Sequence, residues 1–487
     1  MKKIKKVLNC MLCVMLFAFT AGTVLTSCPG NGKAINQNET ITQSPNTPVP
    51  PEKPITPDVK EKIDAGIKAL GSKDYDTALT KFEEAYNAAP NNDTKVYYAL
   101  TQLAKISVKA ETVDFMKNKL GFVKYPNTLK GLIDYKSWFK EHSYKGQGPN
   151  GEEFSWSVMF PEIKTAGWFE NMDPALQIPA ALIENSSGNF DKMLDDTYAI
   201  IFGKEFDAAW AVINSLKDDE ITINKDFLKA LGLEADNEIK VQKKQLQGII
   251  GGLRVTRGAV NFLRSYKLST DVSPFKFNWE SRDKNEILKN LLPYTKEKDP
   301  FSNGFFTIRD RSKMDAAKKD IAAGADLIIA AYDSLITSGT LPAEVKEKVK
   351  EYTPIRDMVK KISDAIKSGS TVDLTAEMDK VLAKPQAVPG APLPPQVDIT
   401  KFEINMGTLF TPGAIKLSNL FEMNGTKPKI GTTKDGTNTP CFILTLKKFA
   451  KDFVAIEVDN DDIFKQSETI EIPLPGVYGE KIKEFYK

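Results

Sequence analysis

Apolar residues recur at helical spacing through most of the chain between Asp58 and Ile366, and this periodicity stops at a segment of five prolines, Pro385 to Pro395. Side chains three and four positions apart share one face of a helix, so such a run must bury that face against other helices. Proline has no amide hydrogen and a fixed φ, so the five-proline segment continues neither a helix nor a central strand. Beyond it the period falls to two: Val454, Ile456 and Val458 alternate with Ala455 and Glu457, as do Phe442, Leu444 and Leu446 and then Ile470 and Ile472. Asn424-Gly425 and Asp435-Gly436 are hairpin-turn signals. The expected fold is mainly α, with a helical hairpin leading into a larger helical body over 110–383. A Pro-rich linker at 384–396 and a small β-rich module at 397–487 follow.

Within the helical part, Ile63, Ile67 and Leu70 mark a first helix that Gly71-Ser72 breaks, and a second is expected from Tyr75 to Ala89. Phe206, Ala209, Trp210 and Ile213 mark another apolar face. A long helix is expected from Asp236 to Tyr266, with Leu246, Ile250, Leu253, Val260 and Leu263 inward. On it Gly248, Gly252, Val255 and Ala259 form a small-residue stripe that implies a close helix crossing. Ser312 and Asp315 form a capping box before the next helix, and Pro354 ends one helix and opens another at Thr353.

The first 27 residues carry four lysines and no acid, so the formal charge of +2 for all 487 residues becomes −2 without them. No global basic field points to nucleic acid. Lys2, Lys3, Lys5 and Lys6 precede a mostly apolar run, Val7 to Ala18, which is short for a membrane span and suits an export signal. It ends in Leu25-Thr26-Ser27-Cys28. This resembles the bacterial lipobox. The resemblance implies cleavage before Cys28, diacylglyceryl attachment to its thiol and fatty acylation, palmitate included. Cys10 and Cys13 fall in the leader and would be lost with it. Cys441 is then left without a partner and is read as a small buried hydrophobe. Pro29 to Pro57 is poor in apolar residues and reads as a disordered tether over 28–57, holding the folded part on the order of 30 Å from the membrane.

Gly66, Ala78, Phe82, Ala85 and Pro90 stand at the offsets of a tetratricopeptide repeat, so that residues 58–109 resemble that family's helix-turn-helix unit. The resemblance implies protein–protein contact. One period on, the same offsets hold Leu100, Thr112, Met116 and Lys124, so that only the first helix of a second unit, Thr94 to Val108, fits. A lone unit cannot form a solenoid and must pack on the helices that follow.

From Phe115 to Phe169, twelve of 55 residues are aromatic, Trp138, Trp156 and Trp168 among them, and the segment reads as irregular structure. Indole rings can stack on sugars or line an apolar pocket, so these three are the candidate ligand- or partner-binding residues. No G-x-S-x-G, H-E-x-x-H or P-loop occurs. The sole histidine, His142, lies in a polar stretch and is read as a surface residue. Arg254 and Arg257, in Gly248–Gly258, belong to a packing helix rather than an anion loop. Asp459, Asn460, Asp461 and Asp462 lack the glycine and distal glutamate of a calcium loop and are read as a solvated turn.

The sequence thus leads us to expect a lipid-anchored cell-envelope protein, at the inner or the outer membrane, acting as a protein-interaction scaffold. Its expected partners are the membrane, through Cys28, and another envelope protein. No catalytic residue, metal or cofactor is expected. The rival reading is a solute- or glycan-binding lipoprotein using 115–169, and a carboxylate-based hydrolase ranks third.

Overall fold

The computed structural model describes residues 54–129, 131, 137, 139–147, 153–162, 164, 189–217, 220–233, 237–269, 307–337, 347, 349–350, 352–382, 399–411, 421–423, 429–432, 438–446, 454–458, 461–462 and 469–473. These residues are mainly α. Helix α1 (Pro57–Gly71) starts where the Thr56 hydroxyl accepts from the Val59 amide and Pro57 sets the first turn. Asp74 caps α2 (Tyr75–Ala88) by accepting from the Thr77 amide. Asn91 caps α3 (Asn92–Val108) by accepting from the Thr94 amide.

Helices α1 and α2 each turn one apolar stripe inward, Ile63, Gly66 and Leu70 on α1 and Ala78, Phe82 and Ala85 on α2, whereas α3 is buried nearly all round. The hairpin does not stand alone. Its core is continuous with α6 (Lys204–Asn214), β3 (Glu220–Ile223), α7 (Lys225–Ala230) and α8 (Lys243–Arg264). Phe82, Tyr97 and Phe227 form an aromatic triangle at its centre, with the Phe82 and Phe227 rings edge to face at 5.6 Å.

Helix α8 runs antiparallel to α9 (Arg311–Thr337), and this pair spans both cores. Close approach to α9 is made at Gly248, Gly251, Val255 and Gly258, so that Gly248 and Val255 of the expected stripe lie at the crossing. A Cβ on Gly251 would stand 2.7 Å from the Gly324 carbonyl oxygen. Two expectations shift. Residues 239–242 form β4 (Ile239–Gln242), paired with β3, so the helix starts only at Lys243, and Leu263 near its end is 37% exposed. Asp310, rather than Ser312, accepts at the start of α9, from both the amide and the hydroxyl of Ser312.

The second core gathers Tyr266, Met314 and Ala317 with α10 (Thr353–Ser368), β5 (Thr371–Asp373) and α11 (Thr375–Leu382). It also takes in Phe402 of β6 (Ile399–Asn405), Met406 of the single turn α12 (Met406–Leu409), and Phe410. Strand β6 pairs with β5 on one side and with β10 (Val454–Val458) on the other. The first strand after the prolines is therefore built into the helical body. The remaining strands are short antiparallel pairs. β11 (Asp461–Asp462) pairs with β10, and β7 (Phe421–Met423), β8 (Lys429–Thr432) and β12 (Thr469–Pro473) all pair with β9 (Asn438–Leu446). The Pro385–Pro395 segment itself lies outside the described residues.

The aromatic-rich stretch contains regular structure that the sequence reading missed. β1 (Phe139–Gln147) and β2 (Glu153–Pro161) form an antiparallel hairpin with Tyr144 opposite Trp156. Its base is fixed to the helical part where the Val123 amide donates to the Glu162 carbonyl and the Lys164 amide to the Gly121 carbonyl.

Candidate partner-binding cleft

After α3 the chain turns sharply into α4 (Ala110–Asp114), which passes into one π-helical turn, Phe115–Lys119. The Leu120 amide donates to the Phe115 carbonyl five residues back, and the wider turn re-aims the side chains it carries. Buried Phe115 and Thr112 hold the segment, the Thr112 hydroxyl donating to the Ile106 carbonyl. Tyr125 and Leu129 pack against Ala104 and Val108 from the other side.

Between this segment and the α1–α2 turn lies an open cleft of about 650 Å³. Tyr75, Val108 and Val113 are among its lining residues, with Lys73, Asp114, Lys117, Asn118, Asn127 and Thr128 supplying the polar groups. Lys73 sits in the left-handed region at φ 67°, as the helix-terminating residue after α1. Asn118 donates its amide to the Asp114 carboxylate at 2.6 Å, and the Thr128 hydroxyl oxygen accepts from the Gly131 amide. Among the described residues, neither Lys73 nor Lys117 forms an ion pair. Neighbouring Lys109 points elsewhere. Its largely buried amine lies 3.5 Å from Glu111 and 3.6 Å from Glu205, and burial pulls its pKa below the usual lysine value despite both carboxylates.

The other charged clusters serve packing. Asp320 on α9, 5% exposed, accepts from both Arg254 and Arg257 of α8, and Arg257 also reaches Asp207 on α6. Burial disfavours the charge of Arg257, but the hydrogen bonds and charge of Asp320 outweigh it and hold the guanidinium protonated more firmly than usual. Arg257 stacks over Phe206 and Arg254 over Trp210. Gly248–Gly258 is helical as expected, and its two arginines tie α8 to α9 and α6.

A second cluster joins Asp195 of α5 (Phe190–Ile201) to Arg264, Arg309 and Lys313. Burial opposes ionisation of Asp195, yet the three cations together keep its pKa below the usual aspartate value. The cluster closes a neck where the Lys267 amide donates to the Thr307 carbonyl, the Arg309 amide to the Ser265 carbonyl, and Tyr266 bridges Ile308.

Of the residues singled out from the sequence, Cys28, Trp138 and Trp168 lie outside the described residues, as do Asp459 and Asn460. Trp156 is placed through its backbone in β2, and His142 stands opposite Val158 in β1. Gly146, Gly148 and Gly151 have the G-x-G-x-x-G spacing. A dinucleotide fingerprint needs a strand running into a helix; Gly146 lies near the end of β1, whose antiparallel partner β2 begins at Glu153, and Gly148 and Gly151 lie outside the described residues. The cleft residues had no motif to announce them. Only the proximity of Lys73 to a helix break and of Lys117 to a run without helical period hinted at exposed turns.

Among the described residues, no helix is long and apolar enough to cross a membrane, and no group of His, Cys, Asp and Glu side chains is placed to hold a metal ion. Comparison of the chain with protein-family models, curated proteins and solved structures finds no match.

Proposed function

We propose that this chain is a lipid-anchored cell-envelope protein whose helical part acts as an interaction scaffold for another envelope protein. The observation that supports this reading best is the open cleft beside the α1–α2 turn. Its apolar lining and hydrogen-bonding side chains are accessible without any opening motion. Partner surfaces are recognised by such a mixture of apolar contact and polar rim. The resemblance of residues 58–109 to a tetratricopeptide unit points the same way, and Leu25-Thr26-Ser27-Cys28 supplies the anchor.

The test combines anchor and cleft. A photo-crosslinking amino acid at position 117 should give one discrete protein adduct in intact cells. The adduct should weaken when Cys28→Ala blocks incorporation of labelled fatty acid and releases the chain from membranes. The same probe at exposed Lys60, which does not line the cleft, is the control. An identical adduct from both positions, or none from position 117, refutes the cleft as the contact.

The glycan- or solute-binding reading is favoured by a different observation. The hairpin register sets Tyr144 opposite Trp156, with Phe154 and Phe160 at alternate positions along the same strand. Residues at alternate strand positions share a face, and Trp138 and Trp168 flank this hairpin in sequence. If that face binds sugar, soluble glycans should protect Trp156 from acrylamide quenching in a single-tryptophan variant. Unchanged quenching refutes it.

A further inference from the structure

We infer that the cleft takes an acidic peptide segment carrying an apolar side chain, contributed by the partner protein; this rests on the scaffold reading above and names its partner chemistry. The polar lining is unbalanced towards donors. Lys73 and Lys117 are both exposed and form no ion pair among the described residues. Asn127 adds an amide. Thr128, whose oxygen already accepts from Gly131, keeps its hydroxyl proton to donate. The lining carboxylate, Asp114, accepts from Asn118 at 2.6 Å and keeps its charge, so that Lys73 and Lys117 leave the lining net positive by one. The complement of two cations and spare donors is a ligand with carboxylates and carbonyls, and the Tyr75, Val108 and Val113 lining suits an apolar side chain between them.

The position of Lys73 strengthens the inference. A lysine in left-handed backbone is strained where glycine would not be, and such strain concentrates at binding sites. Lys117 is likewise carried on a π-helical turn, a feature frequent at functional sites.

The probe is a fluorescein-labelled peptide of alternating glutamate and leucine, titrated with full-length protein in non-ionic detergent and read by fluorescence anisotropy. Binding should saturate and weaken as salt rises, because exposed charges are screened beyond about 8 Å at physiological ionic strength. Lys73→Glu with Lys117→Glu should cut affinity about tenfold or more, the scale of one to two kcal/mol of lost charge contacts. The same variant should gain binding to the alternating lysine–leucine peptide. The control, Lys60→Glu with Lys319→Glu, has the same net charge and should bind as the parent does.

No saturable binding, equal binding by both variants, or binding of phosphatidylglycerol vesicles in place of the peptide overturns the inference. If position 117 crosslinks to a protein in cells while the acidic peptide fails, the partner chemistry is wrong and the scaffold reading stands. If neither occurs, both fall.

Discussion

Gly66 and Phe82 are in such close contact that a Cβ on residue 66 would stand 2.7 Å from Cε1 of the ring, and Phe82 is fully buried. The ring cannot swing away, because Tyr97 and Phe227 hold it on other sides. Alanine is the better helix former by about 1 kcal/mol, yet Gly66→Ala should lower stability by about 1–2 kcal/mol because overpacking outweighs propensity. Chemical denaturation checks the sign. Phe82→Leu combined with Gly66→Ala should destabilise less than the sum of the two single changes. Strict additivity would show that the two residues do not compete for the same space.

That contact also shows what was legible in the sequence. The approach of Gly66 to Phe82 across two helices is what the resemblance to a tetratricopeptide unit implies; helical period alone fixes only which residues of one helix share a face. Pro354 and the helix it opens at Thr353 were equally readable, since proline acts locally. The β1–β2 hairpin was missed although Phe154, Trp156, Val158 and Phe160 alternate with Ser155, Ser157 and Met159. The alternation is obscured because Met159 is apolar on the opposite face and the two strands are separated by a glycine-rich turn. Docking of β6 into the second core is not readable, because Phe402, Met406 and Phe410 stand four apart, a helical spacing, although Phe402 lies on a strand. The cleft was illegible for another reason. Lys73 and Thr128 are brought together only by tertiary packing, and no spacing rule links them.

Asp320 carries the charge balance of the α8–α9 crossing. It accepts from Arg254 at 3.0 Å and from Arg257 at 2.8 Å, and all three side chains are largely removed from solvent. Asp320→Asn leaves two guanidinium groups facing a neutral amide, a loss of about 3–5 kcal/mol for a broken buried pair. Removing the whole cluster with Asp320→Leu, Arg254→Met and Arg257→Met should restore much of that, because the one charge that loses its partner, Asp207, is half exposed to solvent. Thermal unfolding of the two variants decides. A triple variant no more stable than Asp320→Asn would assign the cluster a role beyond charge balance.

Two tyrosines set an alkaline limit. Burial pushes the phenols of Tyr97 and Tyr266 up to about 12 from 10.0 in the unfolded chain. A raised pKa means that the folded state keeps the proton longer. Their contribution is therefore fully present below pH 10.0 and is lost as pH rises from there towards about 12. Over that window each tyrosine should steepen the fall in stability by up to about 1.4 kcal/mol per pH unit. Denaturant midpoints measured from pH 8 to pH 11 test this. Tyr97→Phe and Tyr266→Phe should flatten the alkaline fall while leaving the curve below pH 10 parallel to that of the parent. An unchanged alkaline slope in the double variant would assign the loss to lysine deprotonation instead.

Lys73→Gly separates stability from binding at one residue. With φ at 67°, the lysine occupies the left-handed backbone that commonly ends a helix and that glycine adopts without a Cβ penalty. Its amide donates to the Leu70 carbonyl, and that bond survives any substitution with an amide hydrogen. Glycine should therefore stabilise the fold by about 1 kcal/mol, less a few tenths for the extra freedom of the unfolded chain. Because the ammonium goes with the side chain, the same variant should bind the glutamate–leucine peptide more weakly. Lys73→Asn, which tolerates left-handed backbone and removes the charge, should lose binding similarly with a smaller gain in stability. If Lys73→Gly is more stable and binds as tightly as the parent, the strained lysine is no part of the recognition surface. If it is less stable, the left-handed turn is held by contacts of the lysine stem.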